Sequence, residues 1–443
     1  MIGQILSGVS MQVFFDPHVS LNRGKNLFLQ RKTIFAVLMS AGIFTFSGEL
    51  WGDPNLADTL YAGLVLLVLA LLLVLYALQA ELPAEARQQR AGITGSMVVV
   101  LVLLMASHTW VALHHIHESS RRIDCYTFQQ DAVDSLWKGE NPYSSTHANI
   151  YNPDETARYY GPGMVVNGRV QVGLQYPPLT LLPALVGSSL GDVRYGYLLA
   201  ILVSALLLAA ALPGWRGILA AGFALWNPLT FLTEGNCWTE PLAWMLLCLV
   251  VFAAYRKPGW LPVCLGLLVA SKQYNLLILP LSVLLLENFS WKQYLKQLAI
   301  VLGVAVLTAF PFLLWNVRAL WYDLVQFHLV QPYRKDAVSL AVPFPWILKL
   351  SLPLVLLLLV WIVAKVQPGR WRFTAAYGVV FLLFFVTAKQ AFCNYYFLIS
   401  QLFLLAAAEC FPGVGVSEQG QDESFSQEGS AGAVSTTERS IPC

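Results

Sequence analysis

Long apolar runs separated by short polar segments follow one another along most of the chain. A transmembrane helix needs about 20 apolar residues, and several of these runs are shorter, which favours tilted, broken or re-entrant helices. The pattern predicts an all-α polytopic membrane protein with about twelve membrane-spanning helices. The predicted spans are 33–48, 59–79, 93–113, 195–212, 217–232, 239–255, 258–271, 274–287, 293–316, 346–366, 373–388 and 393–410.

The composition agrees with a membrane protein and excludes other classes. Hydrophobic residues make up 57% of the chain and charged residues 12%, whereas a soluble domain has about 25% charged residues. The formal net charge of +2 gives no field that would attract nucleic acid. The seven cysteines form no CxxC pair, so neither a zinc site nor a disulfide framework is expected.

The short basic loops predict the orientation. With the N-terminus in the cytoplasm, alternating spans place most loop Lys and Arg residues inside, as the positive-inside rule requires. Two long segments, 114–194 and 317–345, then lie outside. Residues 1–32 are predicted to be a cytoplasmic N-terminal segment, and 411–443, rich in Ser, Gly, Gln and Glu, a disordered cytoplasmic tail.

The first outside segment carries an acid close to the membrane surface. Asp124 follows the third span, and residues 126–138 have the spacing of an amphipathic helix that Gly139 ends. The expected apolar face of this helix contains Phe128, Ala132, Val133, Leu136 and Trp137. A carboxylate in this place is suited to act as a general base. The alternative is a solvated loop acid.

The same segment closes with a rigid turn. Tyr176 is followed by Pro177 and Pro178, and the apolar stretch that ends at Leu190 is too short to cross a bilayer. We therefore expect a helix that dips into the outer leaflet.

These motifs resemble the GT-C superfamily of membrane glycosyltransferases. The resemblance spans about 93–410 and is strongest to the polyprenol-phosphate-mannose-dependent, alpha-1,2-mannosyltransferase-like branch, glycosyltransferase family 87. Residues 33–92 would then form two additional transmembrane helices ahead of a GT-C-like catalytic domain. The motifs are Asp124 with its helix, Gly139-Glu140-Asn141-Pro142-Tyr143, Tyr176-Pro177-Pro178-Leu179, Asn227-Pro228, Glu234-Gly235-Asn236 and Ser271-Lys272-Gln273.

The resemblance implies transfer of a hexose, with mannose favoured, from a polyprenyl-phosphate sugar to an acceptor hydroxyl on the extracytoplasmic face. The role of the family's loop aspartate falls on Asp124, with Asp131 and Asp134 as the next candidates. The acceptor would be a glycolipid or another glycan. The lipid-linked sugar is a substrate, so no cofactor is expected. The departing phosphate requires cationic or hydrogen-bonding groups.

Candidate phosphate ligands lie in a late outside segment and at one intramembrane position. His328, Arg334 and Lys335 belong to the first, and their alternative role is contact with lipid headgroups. Lys272 lies within an apolar stretch, where a cation is costly and by default functional; the alternative is snorkelling to the interface.

Candidate sugar or acceptor ligands are Tyr176, Glu234, Asn236 and Glu240. The alternative for the last three is a tight polar turn between helices. His114, His117 and Glu118 have the spacing of a helical metal set, but interfacial histidines at a helix end are the favoured explanation, and no metal is expected.

Two other functions compete with glycosyl transfer. A transporter or lipid-linked sugar flippase usually shows internal repeats and polar groups near the membrane midplane, and a non-catalytic assembly subunit would lack a cavity joining Asp124, Lys272 and Arg334. The bacterial inner membrane is the favoured location, with the endoplasmic reticulum as the alternative.

Overall fold

The computed structural model describes residues 95–119, 122–286 and 288–410. The predicted N-terminal segment 1–32, the two predicted spans within 33–92 and the predicted tail 411–443 lie outside the described residues.

The described chain is mostly helical. Its α-helices are α1 (Gly95–Glu118), α2 (Asp124–Trp137), α3 (Pro153–Tyr159), α4 (Leu181–Ser189), α5 (Arg194–Ala211), α6 (Trp215–Trp226), α7 (Pro228–Gly235), α8 (Glu240–Arg256), α9 (Leu261–Ser271), α10 (Ile278–Leu281), α11 (Trp291–Trp321), α12 (Phe327–Val330), α13 (Leu348–Lys365), α14 (Arg370–Thr387) and α15 (Cys393–Cys410).

Six helical segments in the described ranges are long and apolar enough to cross a membrane. They are α1, α5, Trp291–Val330, Pro345–Lys365, α14 and α15. The protein therefore has the helical architecture of a polytopic membrane protein, with six candidate spans in this part of the chain where ten were predicted.

The missing spans are broken or shortened helices. Predicted span 217–232 is divided into α6 and α7 at Asn227, whose side chain accepts a hydrogen bond from the backbone N–H of Leu229 at 3.1 Å. Pro228 occupies the first position of α7, where its missing N–H leaves no helical hydrogen bond unmade. The chain also leaves helical geometry at Lys272 (φ −154°, ψ 142°). This extended residue separates the predicted spans 258–271 and 274–287, and 3₁₀ turns interrupt the second of them.

The segment between α1 and α5 forms a cap over one end of the bundle. Helix α2 buries Phe128, Ala132 and Val133, as the amphipathic pattern predicts, and Gly139 follows it with φ +73°. Trp137, expected on the apolar face, is instead 69% exposed. Gln129, a polar residue, takes a buried place because its amide donates to the carbonyls of Cys125 and Cys237 at 3.2 and 2.6 Å.

This cap also contains a small antiparallel sheet that the helical pattern did not predict. Strands β1 (His147–Ala148), β2 (Val165–Val166) and β3 (Arg169–Val170) pair in the order β1-β3-β2. Asn167 and Gly168 join β2 to β3 with φ of 51° and 73°. Positive φ at both turn residues is the requirement of a two-residue type I′ hairpin, which Asn-Gly satisfies best.

The helices divide into a buried centre and an apolar periphery. Trp244 on α8, Tyr197 on α5 and Tyr377 on α14 are among the largest fully buried side chains. In contrast, Trp110 on α1 is 78% exposed and Leu314 on α11 73% exposed. Large exposed apolar faces of this kind suit contact with lipid tails.

Basic residues gather at one end of the bundle. Arg216 donates to the carbonyl of Ala408 at 3.0 Å, and Arg256 donates to that of Ala210 at 2.9 Å. Arg370 lies over the Tyr255 ring at 4.6 Å. The opposite end, which we call the loop face, consists of 122–190, 331–345 and the helix ends that meet them.

Candidate functional site on the loop face

Asp124 is the first residue of α2, and three groups hold it. Its Oδ1 accepts a hydrogen bond from the N–H of Cys125 at 2.8 Å, and the Tyr160 hydroxyl donates to its Oδ2 at 3.4 Å. Its own N–H donates to the Tyr151 hydroxyl at 3.3 Å. An acid at a helix N-terminus is stabilised by the helix dipole, so this position also explains why α2 begins here.

The environment of Asp124 makes it a stronger base than a solvated aspartate. Burial raises the pKa of its carboxyl above the ordinary value, and the hydrogen bonds from Cys125 and the positive charge of Arg334 oppose part of that rise. A general base works best when its pKa approaches the working pH. Burial raises the pKa of the neighbouring Cys125 thiol well above its ordinary value, which disfavours the nucleophilic thiolate.

Arg334 lies within electrostatic range of Asp124. Its guanidinium donates two hydrogen bonds to Asp336, from Nε at 2.7 Å and from Nη2 at 2.6 Å. The guanidinium also lies 4.1 Å from the Tyr159 ring centroid and 4.8 Å from that of Phe392. Two aromatic rings and one carboxylate therefore orient it.

A group of tyrosines connects the aspartate to the arginine. The Tyr151 ring is 4.7 Å from that of Tyr159 and 5.9 Å from that of Tyr160. Tyr151 and Tyr160 contact Asp124, and Tyr159 contacts Arg334. The end of α3 and the residue after it thus bring both charges to one site.

Lys272 has a buried carboxylate as its partner. Its Nζ lies 2.8 Å from Glu240 Oε1, and the Tyr274 hydroxyl donates to the same oxygen at 3.1 Å. The ammonium also lies 4.9 Å from the Tyr176 ring centroid. The predicted phosphate ligand and one predicted sugar ligand are thus paired with each other.

Tyr176 links this ion pair to the aspartate. Its hydroxyl is 2.9 Å from the Cys125 sulfur, one residue from Asp124. Tyr395 lies within electrostatic range of Glu240, Cys125 and Arg334. The structure therefore brings Asp124, Tyr176, Glu240, Lys272 and Arg334 into one connected region.

The two sequence motifs of the cap hold the Tyr176 turn in place. The Tyr143 hydroxyl donates to the carbonyl of Tyr176 at 2.8 Å, and the carbonyl of Pro142 accepts from Leu174 at 3.1 Å. Asn141 Oδ1 accepts from the Tyr143 N–H at 3.0 Å. Beyond Pro177, Pro178 begins the 3₁₀ turn that leads into α4. Asn141, Pro142, Tyr143 and the two prolines are thus structural.

The late loop supports the same turn. His328 Nε2 lies 3.1 Å from the carbonyl oxygen of Gln175 and 3.3 Å from Gln273 Nε2. Lys389 donates to the carbonyls of Leu329 and Gln331 at 3.2 and 3.0 Å, where a cation stabilises the end of α12. Lys335 is exposed.

The two other predicted acids of α2, Asp131 and Asp134, have partners of their own. Asp131 pairs with buried His147 at 3.0 Å, and the amide of Gln130 donates to Asp134 at 3.0 Å. Because α2 rises about 1.5 Å per residue, these acids lie roughly 10 and 15 Å along the helix from Asp124.

Glu234 and Asn236 lie at the tight turn between α7 and α8, but Glu234 does not face water there. Glu234 Oε1 lies 3.1 Å from His108 Nε2, and both side chains are fully buried. The Asn236 amide donates to the carbonyl of Leu232 at 3.0 Å, which caps the end of α7. The packing of α1 against α7 takes Glu234 away from solvent, whereas Asn236 is half-buried.

The histidines at the end of α1 do not converge. His114 pairs with Glu118 at 3.4 Å, whereas His117 hydrogen-bonds the Tyr195 hydroxyl at 2.9 Å. In the described ranges, no cluster of three or more His, Cys, Asp or Glu residues has the arrangement of a metal site.

Several site residues escaped the sequence analysis, above all Tyr151, Tyr159 and Phe392. A local signal existed for the first two. Asn152 and Glu155 form a capping box with Pro153 at the first helical position, and this motif marks the start of α3. Tyr151 precedes that helix and Tyr159 is its last residue. For Phe392 no local signal exists, because its role depends on the distant Arg334.

A comparison with profiles of known protein families finds none that matches the chain, and no curated protein matches it at a significant level of sequence similarity.

Proposed function

We propose that the protein is a membrane glycosyltransferase of the GT-C type that moves a hexose, with mannose favoured, from a polyprenyl-phosphate sugar to an acceptor hydroxyl. The observation that carries this proposal is the convergence of Asp124 and the aromatic-flanked Arg334 on one group of tyrosines, Tyr151, Tyr159 and Tyr160. A base and a phosphate-binding cation at one site are the two groups that such a transfer needs.

In the proposed reaction, the acceptor oxygen attacks the anomeric carbon while its proton passes to Asp124. The bond between the anomeric carbon and the phosphate oxygen breaks, and the electron pair leaves with polyprenyl phosphate. The transition state is oxocarbenium-like, with negative charge growing on the phosphate. Arg334 offers that charge a planar, bidentate donor.

The Lys272–Glu240 pair has a different role in this proposal from the one its sequence suggested. An ammonium 2.8 Å from a buried carboxylate is already neutralised and is a weak ligand for a phosphate. We assign the pair to positioning Tyr176, whose ring it contacts, and assign the phosphate to Arg334, with His328 and Lys335 as neighbours.

The proposed membrane arrangement has about twelve spans, including two within 33–92, both termini in the cytoplasm and the loop face outside. The segregation of Arg216, Arg256 and Arg370 at the end opposite the loop face supports this orientation. The bacterial inner membrane is the proposed location.

A transfer assay tests the proposal. The purified full-length chain in lipid nanodiscs is given a panel of polyprenyl-phosphate sugars and glycolipid acceptors, and product is detected by mass spectrometry. Transfer from one donor that Asp124→Asn abolishes supports the proposal. Absence of transfer across the panel, or normal transfer by that variant, contradicts it.

The buried Lys272–Glu240 pair favours one second candidate, a lipid-linked sugar flippase. Ionisable pairs inside a helical bundle often mark a transport pathway. Flux of a lipid-linked sugar in proteoliposomes, without sugar transfer and dependent on Lys272, would favour this function over the first.

A further inference from the structure

The best-oriented cation of the loop face is occupied by a carboxylate of the same chain. Asp336 takes two hydrogen bonds from one edge of the Arg334 guanidinium, at 2.7 and 2.6 Å. Phosphates bind arginine through the same edge with the same two-point geometry. Asp336 and a phosphate ligand therefore compete for one set of donors.

The orientation of the guanidinium does not rest on Asp336 alone. The Tyr159 and Phe392 rings, from two distant parts of the chain, both lie within cation–π distance. The backbone N–H of Arg334 also donates to the carbonyl of Lys389 at 3.5 Å, which attaches the loop to the connection between α14 and α15. None of these three contacts involves Asp336.

Asp336, in contrast, can leave at low cost. Its side chain is 40% exposed, whereas that of Arg334 is 18% exposed. It belongs to an irregular stretch between α12 and α13. Arg158 lies within electrostatic range and offers the displaced carboxylate a second positive charge.

We propose that Asp336 is an intramolecular stand-in for the anionic group of the ligand. The carboxylate keeps Arg334 neutralised and oriented while the site is empty, and a phosphate displaces it upon binding. That this phosphate belongs to a prenyl lipid rests on the proposed function; the competition for Arg334 does not.

Ligand binding to the full-length protein in nanodiscs tests the competition. The probes are farnesyl phosphate and inorganic phosphate, measured by calorimetry at pH 7.5. Asp336→Asn removes the competing charge and is expected to bind farnesyl phosphate about fivefold more tightly, the size of one partly exposed ion pair. A gain for both probes identifies phosphate recognition by Arg334 itself, and a gain for farnesyl phosphate alone identifies a lipid phosphate.

Two controls make the result specific. Asp154→Asn removes the same charge from an exposed acid at the start of α3 and is expected to leave the affinity unchanged. In an Arg334→Gln background, Asp336→Asn is expected to give no gain. An affinity of Asp336→Asn equal to or below that of Asp154→Asn overturns the proposal, since Asp336 would then support Arg334 and not compete for it.

The binding assay also separates this proposal from the proposed function. If no sugar transfer is found but Asp336→Asn gains affinity, the proposed role of Asp336 is supported and the proposed glycosyl transfer is contradicted. If transfer is found and the gain in affinity is absent, the proposed glycosyl transfer is supported and the proposed role of Asp336 is contradicted.

Discussion

Lys272 Nζ lies 2.8 Å from Glu240 Oε1, and both side chains are almost completely buried. The lysine occupies an extended residue between α9 and a 3₁₀ turn, and the glutamate begins α8. Each charge makes the burial of the other tolerable, because an isolated ion in this place would carry its full desolvation cost. The pair therefore ties the start of α8 to the break in the chain after α9, next to the Tyr176 ring.

Removal of one partner of this pair is expected to destabilise the protein strongly. Glu240→Gln leaves the Lys272 ammonium buried without its counter-ion, at a cost of about 3–5 kcal/mol. The double variant Lys272→Met with Glu240→Gln should recover part of that loss, because no buried ion remains. Thermal unfolding of the purified protein in detergent measures both. A double variant as unstable as the sum of the two single variants would contradict this account.

Replacement of Asp124 by asparagine is expected to remove transfer without unfolding the site. The amide oxygen can still accept the Cys125 N–H hydrogen bond, but the side chain can no longer take a proton. General base catalysis contributes about 10²–10⁴-fold, so the transfer rate should fall by roughly that factor. The measurement is the initial rate at saturating donor, with the unfolding temperature recorded beside it.

Asp131→Asn and Asp154→Asn are the matched controls for that variant. Both remove one carboxylate from the same segment, and neither residue touches Asp124 through a hydrogen bond in the described structure. Retained transfer is expected in both. A loss in Asp131→Asn equal to that of Asp124→Asn would move the proposed base two turns along α2.

The pH dependence of transfer should reflect the raised pKa of Asp124. Burial raises this pKa, so the base becomes protonated, and the rate falls, at a higher pH than for an exposed aspartate. The Tyr160 hydrogen bond and the Arg334 charge both lower the pKa, so Tyr160→Phe and Arg334→Gln should each move the acid limb to still higher pH. A rate–pH series for the three proteins checks the direction. An acid limb that stays in place in both variants would exclude Asp124 as the titrating group.

The same shift has a consequence for stability. Because the folded pKa lies above the unfolded one, the folded state binds this proton more tightly. The contribution of Asp124 is thus fully present below the unfolded pKa and is lost as the pH rises through the folded pKa. Asp124→Asn should therefore reduce the loss of unfolding temperature that accompanies a rise in pH through the raised pKa of this carboxyl, as measured by thermal unfolding in a pH series.

Gly173 is expected to tolerate no side chain. A Cβ atom there would lie 2.7 Å from the carbonyl oxygen of Pro142 and 2.8 Å from Cα of Tyr143, both backbone atoms. Gly173→Ala should cost about 1–3 kcal/mol of folding free energy and loosen the Tyr176 turn. The control is Gly303→Ala in α11, where a Cβ meets nothing within 4 Å. Equal unfolding temperatures for the two variants would contradict the close approach.

Several structural features were readable from local sequence. The span 195–212 corresponds to α5 (Arg194–Ala211), and the break within 217–232 falls at Asn227-Pro228. The hairpin at Asn167-Gly168 was equally local, but a search for apolar helical runs does not detect two-residue strands.

The sequence alone indicated that this protein is helical and suited to a membrane. Hydropathy is a sum over neighbouring residues, so it does not depend on which distant residues come into contact. The sequence also singled out Asp124, Lys272 and Arg334 as candidate functional charges. Only the tertiary structure decided their partners, Tyr160, Glu240 and Asp336. Tyr160 and Glu240 lie on other elements, and their contacts depend on how the helices pack. Asp336 is a near neighbour of Arg334 in sequence, but its pairing with Arg334 depends on the fold of the loop, which brings the two side chains into contact.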